Sequence, residues 1–351
     1  MMDFSWLFWS LLLVLSVARP GGVEASNQSP QDDGPRDLAC PDAQDIFPCV
    51  CSLNSQNSMD MNCSEVTSED ELAAVFQANF PSTTFHRLTI FGNRQLRILK
   101  SDALGSATFE EFWITDGALE LVEDNALIGS SATAVHMVFN FNNIVLFPFS
   151  DLHFFTSLKS LDLRHNFLAG FPVLVSPSLQ TLYLSHNPLG GLPGSAFVNT
   201  PELLDVHLSD VGISGLVPGT FSGLRKLRNV GLGRNQLTHL PPSSVDCTPA
   251  TGMIDVGYNE ISSVSPDAFP GLVNGWVYIH HNHLRSLPEG TWRKLLEDGG
   301  YLDPYGNPLH CTCDIAWILR NATFLHEVDV YTTCADGHRL VDLDLAGYEH
   351  C

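Results

Sequence analysis

The sequence predicts an α/β solenoid: a horseshoe of about ten short repeats, with a parallel sheet on its concave side and a disulfide-bonded cap at each end. Three observations carry this. A motif, L-x-L-x-x-N-x-L, returns with a period near 24 residues. Eight of the nine cysteines gather in two clusters of four, one on either side of the repeats. Finally, 44% of the 351 residues are apolar, enough for a core, yet one compact core of this length would lie at the ceiling of about 250–300 residues. An elongated stack of repeats resolves that conflict, because each unit packs only on its neighbours.

The chain opens on an apolar run, FSWLFWSLLLVLSVA (4–18), too short to span a bilayer, which takes roughly 20 residues. Small residues follow, with Val23 and Ala25 at the −3 and −1 positions of a cleavage site. Residues 1–25 therefore read as a signal peptide cleaved after Ala25, with cleavage after Ala18 as second choice. Residues 26–39 form a polar linker. No later stretch has the length and apolarity of a membrane span, so the expected product is secreted, extracellular and without a membrane anchor.

Residues 40–84 hold Cys40, Cys49, Cys51 and Cys63. In an oxidising compartment such a set implies disulfides, and four cysteines allow three pairings. Neighbours in Cys-x-Cys do not readily bond to each other, which leaves two. Zinc competes, but disulfides form first outside the cell and no Cys-x₂-Cys spacing is present. Ser68, followed by Glu71 three residues later, is a capping box that should open a short helix reaching about Ala78.

Residues 85–306 are the repeats. The motif reads LDLRHNFL at 161–168, LYLSHNPL at 182–189, VGLGRNQL at 230–237 and VYIHHNHL at 277–284. The aligned position is Asn93, Gly117, Asn142, Asn166, Asn187, Val211, Asn235, Asn259, Asn282 and Asn307. Such a period resembles leucine-rich repeats. L-x-L places two apolar side chains on one face of a short strand, which stacking must bury. The Asn side chain should satisfy turn backbone groups that would otherwise be buried unpaired. Ten residues after it a second apolar mark, at Phe197, Phe221, Val245, Phe269 and Trp292, reads as a spine on the convex side. At the two irregular turns Asp116 and Asp210 stand one residue early, and either their carboxylates accept from the turn N–H groups or a water-filled gap replaces the Asn. Pro172 and Pro177 in the short 21-residue repeat should keep its convex segment extended.

Residues 307–351 carry Cys311, Cys313, Cys334 and Cys351. The two clusters resemble the cysteine-rich caps of extracellular leucine-rich-repeat proteins. That resemblance implies Cys40–Cys51 and Cys49–Cys63 at one end, Cys311–Cys334 and Cys313–Cys351 at the other, and Trp317 in the cap core. The chain ends on Cys351, with no stalk expected after it. The wording around CDIAW (313–317), CADG (334–337) and ELAAVF (71–76) is also similar to crustacean proteins named for the non-catalytic subunit of Oplophorus-luciferin 2-monooxygenase. The resemblance implies a secreted, non-enzymatic accessory subunit bound to a catalytic partner.

A net charge of −22 argues against nucleic-acid binding, which needs a basic stripe, and against docking on anionic lipid. No G-x-S-x-G, H-E-x-x-H, P-loop or dinucleotide fingerprint is present, so neither an enzyme nor a cofactor is expected. His280, His281 and His283 diverge around a turn, so no metal site is expected either. His165, His186 and His281 occupy equivalent repeat positions, a column able to titrate near pH 6.

In strand phase the concave side chains of the last repeats are Asp255 and Tyr258, then Trp276, Tyr278 and His280, then Tyr301, Asp303 and Tyr305. Exposed aromatics on a sheet face mark a partner-binding patch, here with Tyr301 and Tyr305 flanking Trp276 and Tyr278 and two carboxylates framing the group. The bland alternative is mutual stacking without a partner. Asn27 and Asn321 are the candidate glycosylation sites; the third sequon, at Asn62, contains a half-cystine. Cys247 is the unpaired cysteine, either a buried thiol or an intermolecular bridge. The functional expectation is a protein-binding module acting as an accessory subunit; the alternative is a soluble recognition protein for innate defence or adhesion.

Overall fold

A three-residue strand cannot bury its inward side chain alone, and its edges leave backbone groups open. Stacking copies in register solves both problems. The computed structural model describes residues 40–246 and 252–351, and its sheet has 12 strands in chain order. β1 (Val50–Leu53) and β2 (Met59–Asn62) form an antiparallel hairpin. From β2 onward all pairing is parallel: β3 (Thr84–Phe91), β4 (Thr108–Thr115), β5 (His136–Val138), β6 (Ser160–Asp162), β7 (Thr181–Tyr183) and β8 (Asp205–His207). β9 (Asn229–Gly231), β10 (Met253–Asp255), β11 (Trp276–Tyr278) and β12 (Tyr301–Asp303) complete it. The chain is a leucine-rich-repeat solenoid whose sheet forms the concave side.

Register sets the core. Leu161 lies opposite Leu182, Val206 opposite Val230 and Val277 opposite Leu302, and all six are fully buried. The second motif leucine is buried with them, as Leu163, Leu184 and Leu232 show. On the far side Phe197, Phe221, Val245 and Trp292 are buried and Phe269 packs against them partly exposed. Phe197 and Phe221 stack at 5.2 Å, so the spine is continuous packing. The proline-bearing repeat has no helix on its convex side; Val175 makes a single bridge to Asn199 there. The last repeat instead carries α2 (Glu289–Glu297), which delivers Trp292 inward and ties Arg293 to Glu289 and Glu297 on its outer face.

The asparagines form a ladder that always reaches backward. Asn166 donates through Nδ2 to its own Leu163 carbonyl (3.0 Å) and to the Phe139 carbonyl of the preceding repeat (2.9 Å), and its Oδ1 accepts from the Ile144 N–H (3.0 Å). Asn187, Asn259 and Asn282 repeat the pattern.

The two irregular turns correct the expectation placed on Asp116 and Asp210. Both residues have left-handed backbone, φ 57° and 56°, and neither carboxylate accepts from a turn N–H among the described contacts. Asp210 turns outward to His186 Nδ1 at 2.9 Å. The missing side chain is replaced from the next repeat. Asn235 Oδ1 accepts from the N–H groups of both Val211 (3.1 Å) and Ile213 (3.0 Å). Asn142 presses into the space at Gly117, its Oδ1 lying 2.6 Å from where a Cβ would stand. The N–H that a missing Asn would have taken bonds locally instead: Leu189 N–H to the Asn187 carbonyl, and Leu309 N–H to that of Asn307 at the end of the ladder.

At the N-terminal end Cys40 is bonded to Cys51 and Cys49 to Cys63. Ser68 accepts from the Glu71 N–H to open α1 (Glu69–Val75), while Glu71 reaches back to the Thr67 N–H, one residue beyond the expected partner. The helix stops at Val75, short of Ala78. Its last turn tightens to i+3 bonds as the Phe76 ring packs edge-on against Phe109. At the other end Cys311 is bonded to Cys334 and Cys313 to Cys351. Trp317 is buried, its indole N–H donating to the Leu287 carbonyl at 2.9 Å. The expected leader (1–25), the linker (26–39), Asn27 and Cys247 lie outside the described residues. Among the described residues no helix is long and apolar enough to cross a membrane.

Candidate partner-binding face

The outward side chains of β11 and β12 come together as one aromatic group. Trp276 stands 6.2 Å from Tyr278 and 5.9 Å from Tyr301, and Tyr278 is 6.5 Å from Tyr301, centroid to centroid. His280 joins Tyr278 (6.4 Å) to Tyr258 (5.1 Å). Tyr305 does not flank Trp276 and Tyr278: it lies past the end of β12 and meets His281 edge-on at 5.3 Å. The patch thus has a triangle on the strands and a second row, Tyr258, His281 and Tyr305, along the turn. Trp276 is 53% exposed, so the rings' mutual contacts leave its surface open.

The carboxylates are half committed. Asp255 accepts from the Gly257 N–H at 2.9 Å and Asp303 from the Tyr305 N–H at 3.0 Å, each closing the turn that follows its strand. Burial raises the Asp303 carboxyl above the ordinary range, and Asp329 nearby adds to it. The Tyr301 hydroxyl donates to Asp329 at 2.9 Å. Burial and then that bond hold the Tyr301 phenol neutral far beyond its ordinary range. The His280 ring fits only because residue 257 is glycine: a Cβ there would collide with the imidazole. His280 Nδ1 is buried without a hydrogen-bond partner.

The sheet carries other arrays outside the candidate set. Arg164 forks onto Asp162, Nη2 to Oδ2 at 2.6 Å, and covers the Tyr183 ring at 4.7 Å, while His207 stacks on Tyr183 at 4.6 Å. Toward the N-terminal end Glu111 binds Arg87 (2.7 Å) and the Trp113 indole N–H (3.0 Å). The sequence signals only the Asp162–Arg164 pair, two residues apart and so on one face; Arg87 and Glu111 lie 24 residues apart and meet across neighbouring strands. Along the rim Phe141, His165 and His186 stack at 4.2 and 4.1 Å, all in left-handed backbone. Of the expected histidine column, His281 stands apart, stacked on Tyr258 at 4.5 Å.

Burial lowers the His207 imidazole below its ordinary range; Arg164 adds to this and Asp205 opposes it. The unfolded chain then binds the proton more readily, so stability should fall as pH drops through the unfolded value near 6.5. His165 is lowered likewise, by burial and then by His186. We expect chemical denaturation to show lower stability at pH 5 than at pH 7, and His207→Asn to reduce the difference; an unchanged difference would clear His207 of that role.

Among the described residues one group of three potential metal ligands converges, Cys313, His350 and Cys351, and its two sulfurs are already bonded to each other. Asn321 caps α3 (Ala322–His326), its Oδ1 accepting from the Thr323 N–H at 3.0 Å. Asn62 Oδ1 is engaged by Ser64.

The comparisons with known proteins agree with this architecture. The leucine rich repeat family matches residues 177–237 and 225–284. The Oplophorus-luciferin 2-monooxygenase non-catalytic subunit of Oplophorus gracilirostris is 37% identical over 313 residues, covering 88% of this chain and 87% of that protein. The chain belongs to that subunit's leucine-rich-repeat family. Membership fixes the broad chemistry: this is a protein-binding module and not an enzyme. Part of the chain is also similar to the leucine-rich repeat transmembrane protein FLRT2 of Rattus norvegicus, 33% identical over 46% of this chain and 24% of that protein. For the fold, a chain of a solved octameric complex of Latrophilin 3, Unc5D and FLRT2 superposes with a TM-score of 0.61 at 20% identity, over 84% of this chain and 97% of that chain.

Proposed function

We propose that the chain is a secreted, non-catalytic accessory subunit that binds a catalytic partner through the C-terminal end of its concave sheet. The observation that carries the reading is similarity over nearly the whole chain to a protein named as a non-catalytic subunit. Four disulfides suit an oxidising, extracellular setting. The docking face is assigned to Trp276, Tyr278 and Tyr301 because large rings on rigid strands give contact area at little entropic cost. The test is capture from the native fluid on immobilised protein. One stoichiometric polypeptide is expected, and Trp276→Ala should weaken it by about 2 kcal/mol or more, roughly thirtyfold, with thermal unfolding unchanged. Retention of a carbohydrate or a microbial surface in place of a polypeptide would replace this reading with the recognition protein. Normal capture by Trp276→Ala would move the docking face elsewhere.

A further inference from the structure

Apart from Arg293, which lies over Trp317 and Phe324 in the C-terminal cap, three arginines among the described residues each cover an aromatic ring along the sheet and its following turns. Arg87 lies 5.1 Å over Trp113, Arg164 lies 4.7 Å over Tyr183, and Arg234 lies 4.4 Å over Tyr258. In the first two a carboxylate grips the guanidinium, Glu111 for Arg87 and Asp162 for Arg164. Ring, carboxylate and cation form one unit of the concave face.

The C-terminal end has the same unit without the cation. Trp276, Tyr278 and Tyr301 form a closed triangle with mutual tilts of 70°, 55° and 61°. A flat stack would spend the π faces on each other, whereas these tilts leave ring face open. A cation above the triangle can lie within about 6 Å of all three centroids, the range of a cation–π contact. Asp255 and Asp303 sit on the flanking strands, and Asp329 is bonded to the Tyr301 hydroxyl. Strands β10, β11 and β12 carry no Lys or Arg, and none of the described ring-covering arginines stands over these three rings. We propose that Trp276, Tyr278 and Tyr301 form a cage for an arginine side chain supplied by the partner polypeptide, with Asp303 and Asp255 as its counter-charges. This rests on the reading of the face as a docking site and names what the partner must present there. The triangle lies on an open sheet face with Trp276 half exposed, which suits a side chain arriving on a protein surface.

The test follows the indole N–H signals of the intact protein by NMR during titration with Nα-acetyl-arginine methylamide, its citrulline counterpart and choline. The Trp276 signal is assigned by its loss in Trp276→Phe. The arginine compound should shift it saturably and the neutral, nearly isosteric citrulline compound should not. Trp113, already covered by Arg87, should stay still. Tyr278→Leu should weaken the response about fivefold, the worth of one ring of a partly exposed cage, and Asp303→Asn should weaken it too. A flat titration, an equal response to citrulline, or tighter binding of choline would overturn the proposal. If the titration is flat while Trp276→Ala still loses the captured partner, the docking face stands and the cage falls. If Trp276→Ala captures the partner normally, the docking reading itself has failed.

Discussion

Asn235→Ala should cost about 4 kcal/mol of unfolding free energy, more than Asn166→Ala at an ordinary rung. Asn235 is buried and serves two turns. It accepts from Val211 and Ile213 and donates to Leu208 (2.8 Å) and Leu232 (2.9 Å). Alanine would leave these groups without partners in a dry interior, each at about 1–3 kcal/mol, with partial relief from local rearrangement. Asn166 accepts from a single N–H of the preceding repeat, that of Ile144. Denaturant unfolding of the two variants with disulfides intact decides the matter. Equal losses would mean that the break at Val211 places no added load on Asn235.

The second large effect concerns the caps, where loop length and burial point in opposite directions. The Cys313–Cys351 loop of 38 residues predicts roughly 4 kcal/mol from chain entropy, and the Cys49–Cys63 loop of 14 residues roughly 3. Burial reverses the order. Cys49 and Cys63 are 3% and 0% exposed inside the hydrophobic cluster, whereas Cys313 and Cys351 are exposed and their bond ties the last turn of chain back to the start of the cap. Cys49→Ala with Cys63→Ala should therefore lower global stability by about 3–5 kcal/mol. Cys313→Ser with Cys351→Ser should free the terminal segment in hydrogen exchange and leave the repeats protected. A larger global loss from the second pair would show that loop entropy outweighs packing here.

Which parts were legible in the sequence follows from the range of the interactions involved. The repeat phase, the buried Leu161 and Leu163 and the spine at Phe197 and Phe221 depend on spacing along the chain, and periodicity displays that directly. The substitution for the missing asparagines was not legible. Asp116 and Asp210 are near in sequence to the gaps, while Asn142 and Asn235, which fill them, are a full repeat away. The same limit applies to the face. Strand phase puts Trp276, Tyr278 and Tyr301 together, but Tyr305 lies past the strand, where the turn and not the pleat sets direction. The stacking of Arg164 and His207 on Tyr183 is not legible, because the three residues belong to three repeats and meet only when those repeats align.

The backward reach of the asparagines gives assembly a direction. Each side chain closes bonds in the repeat made before it, from Asn93, which donates to Ser64 and Val66 in the cap, to Asn307, which donates to Ile279 and accepts from Leu284. During synthesis the amino-terminal repeats emerge first. A nascent solenoid that has reached Asn259 lacks partners only at its newest turn, and the next repeat brings Asn282, which accepts from the Ile261 N–H and donates to the Val256 carbonyl. A fragment beginning in the middle has the opposite fate: its first asparagine faces solvent where the carbonyls of the preceding repeat should be. The disulfide-bonded hairpin at the start is therefore the template on which the first rung closes, and growth from the ribosome runs in the direction in which each new unit completes the last.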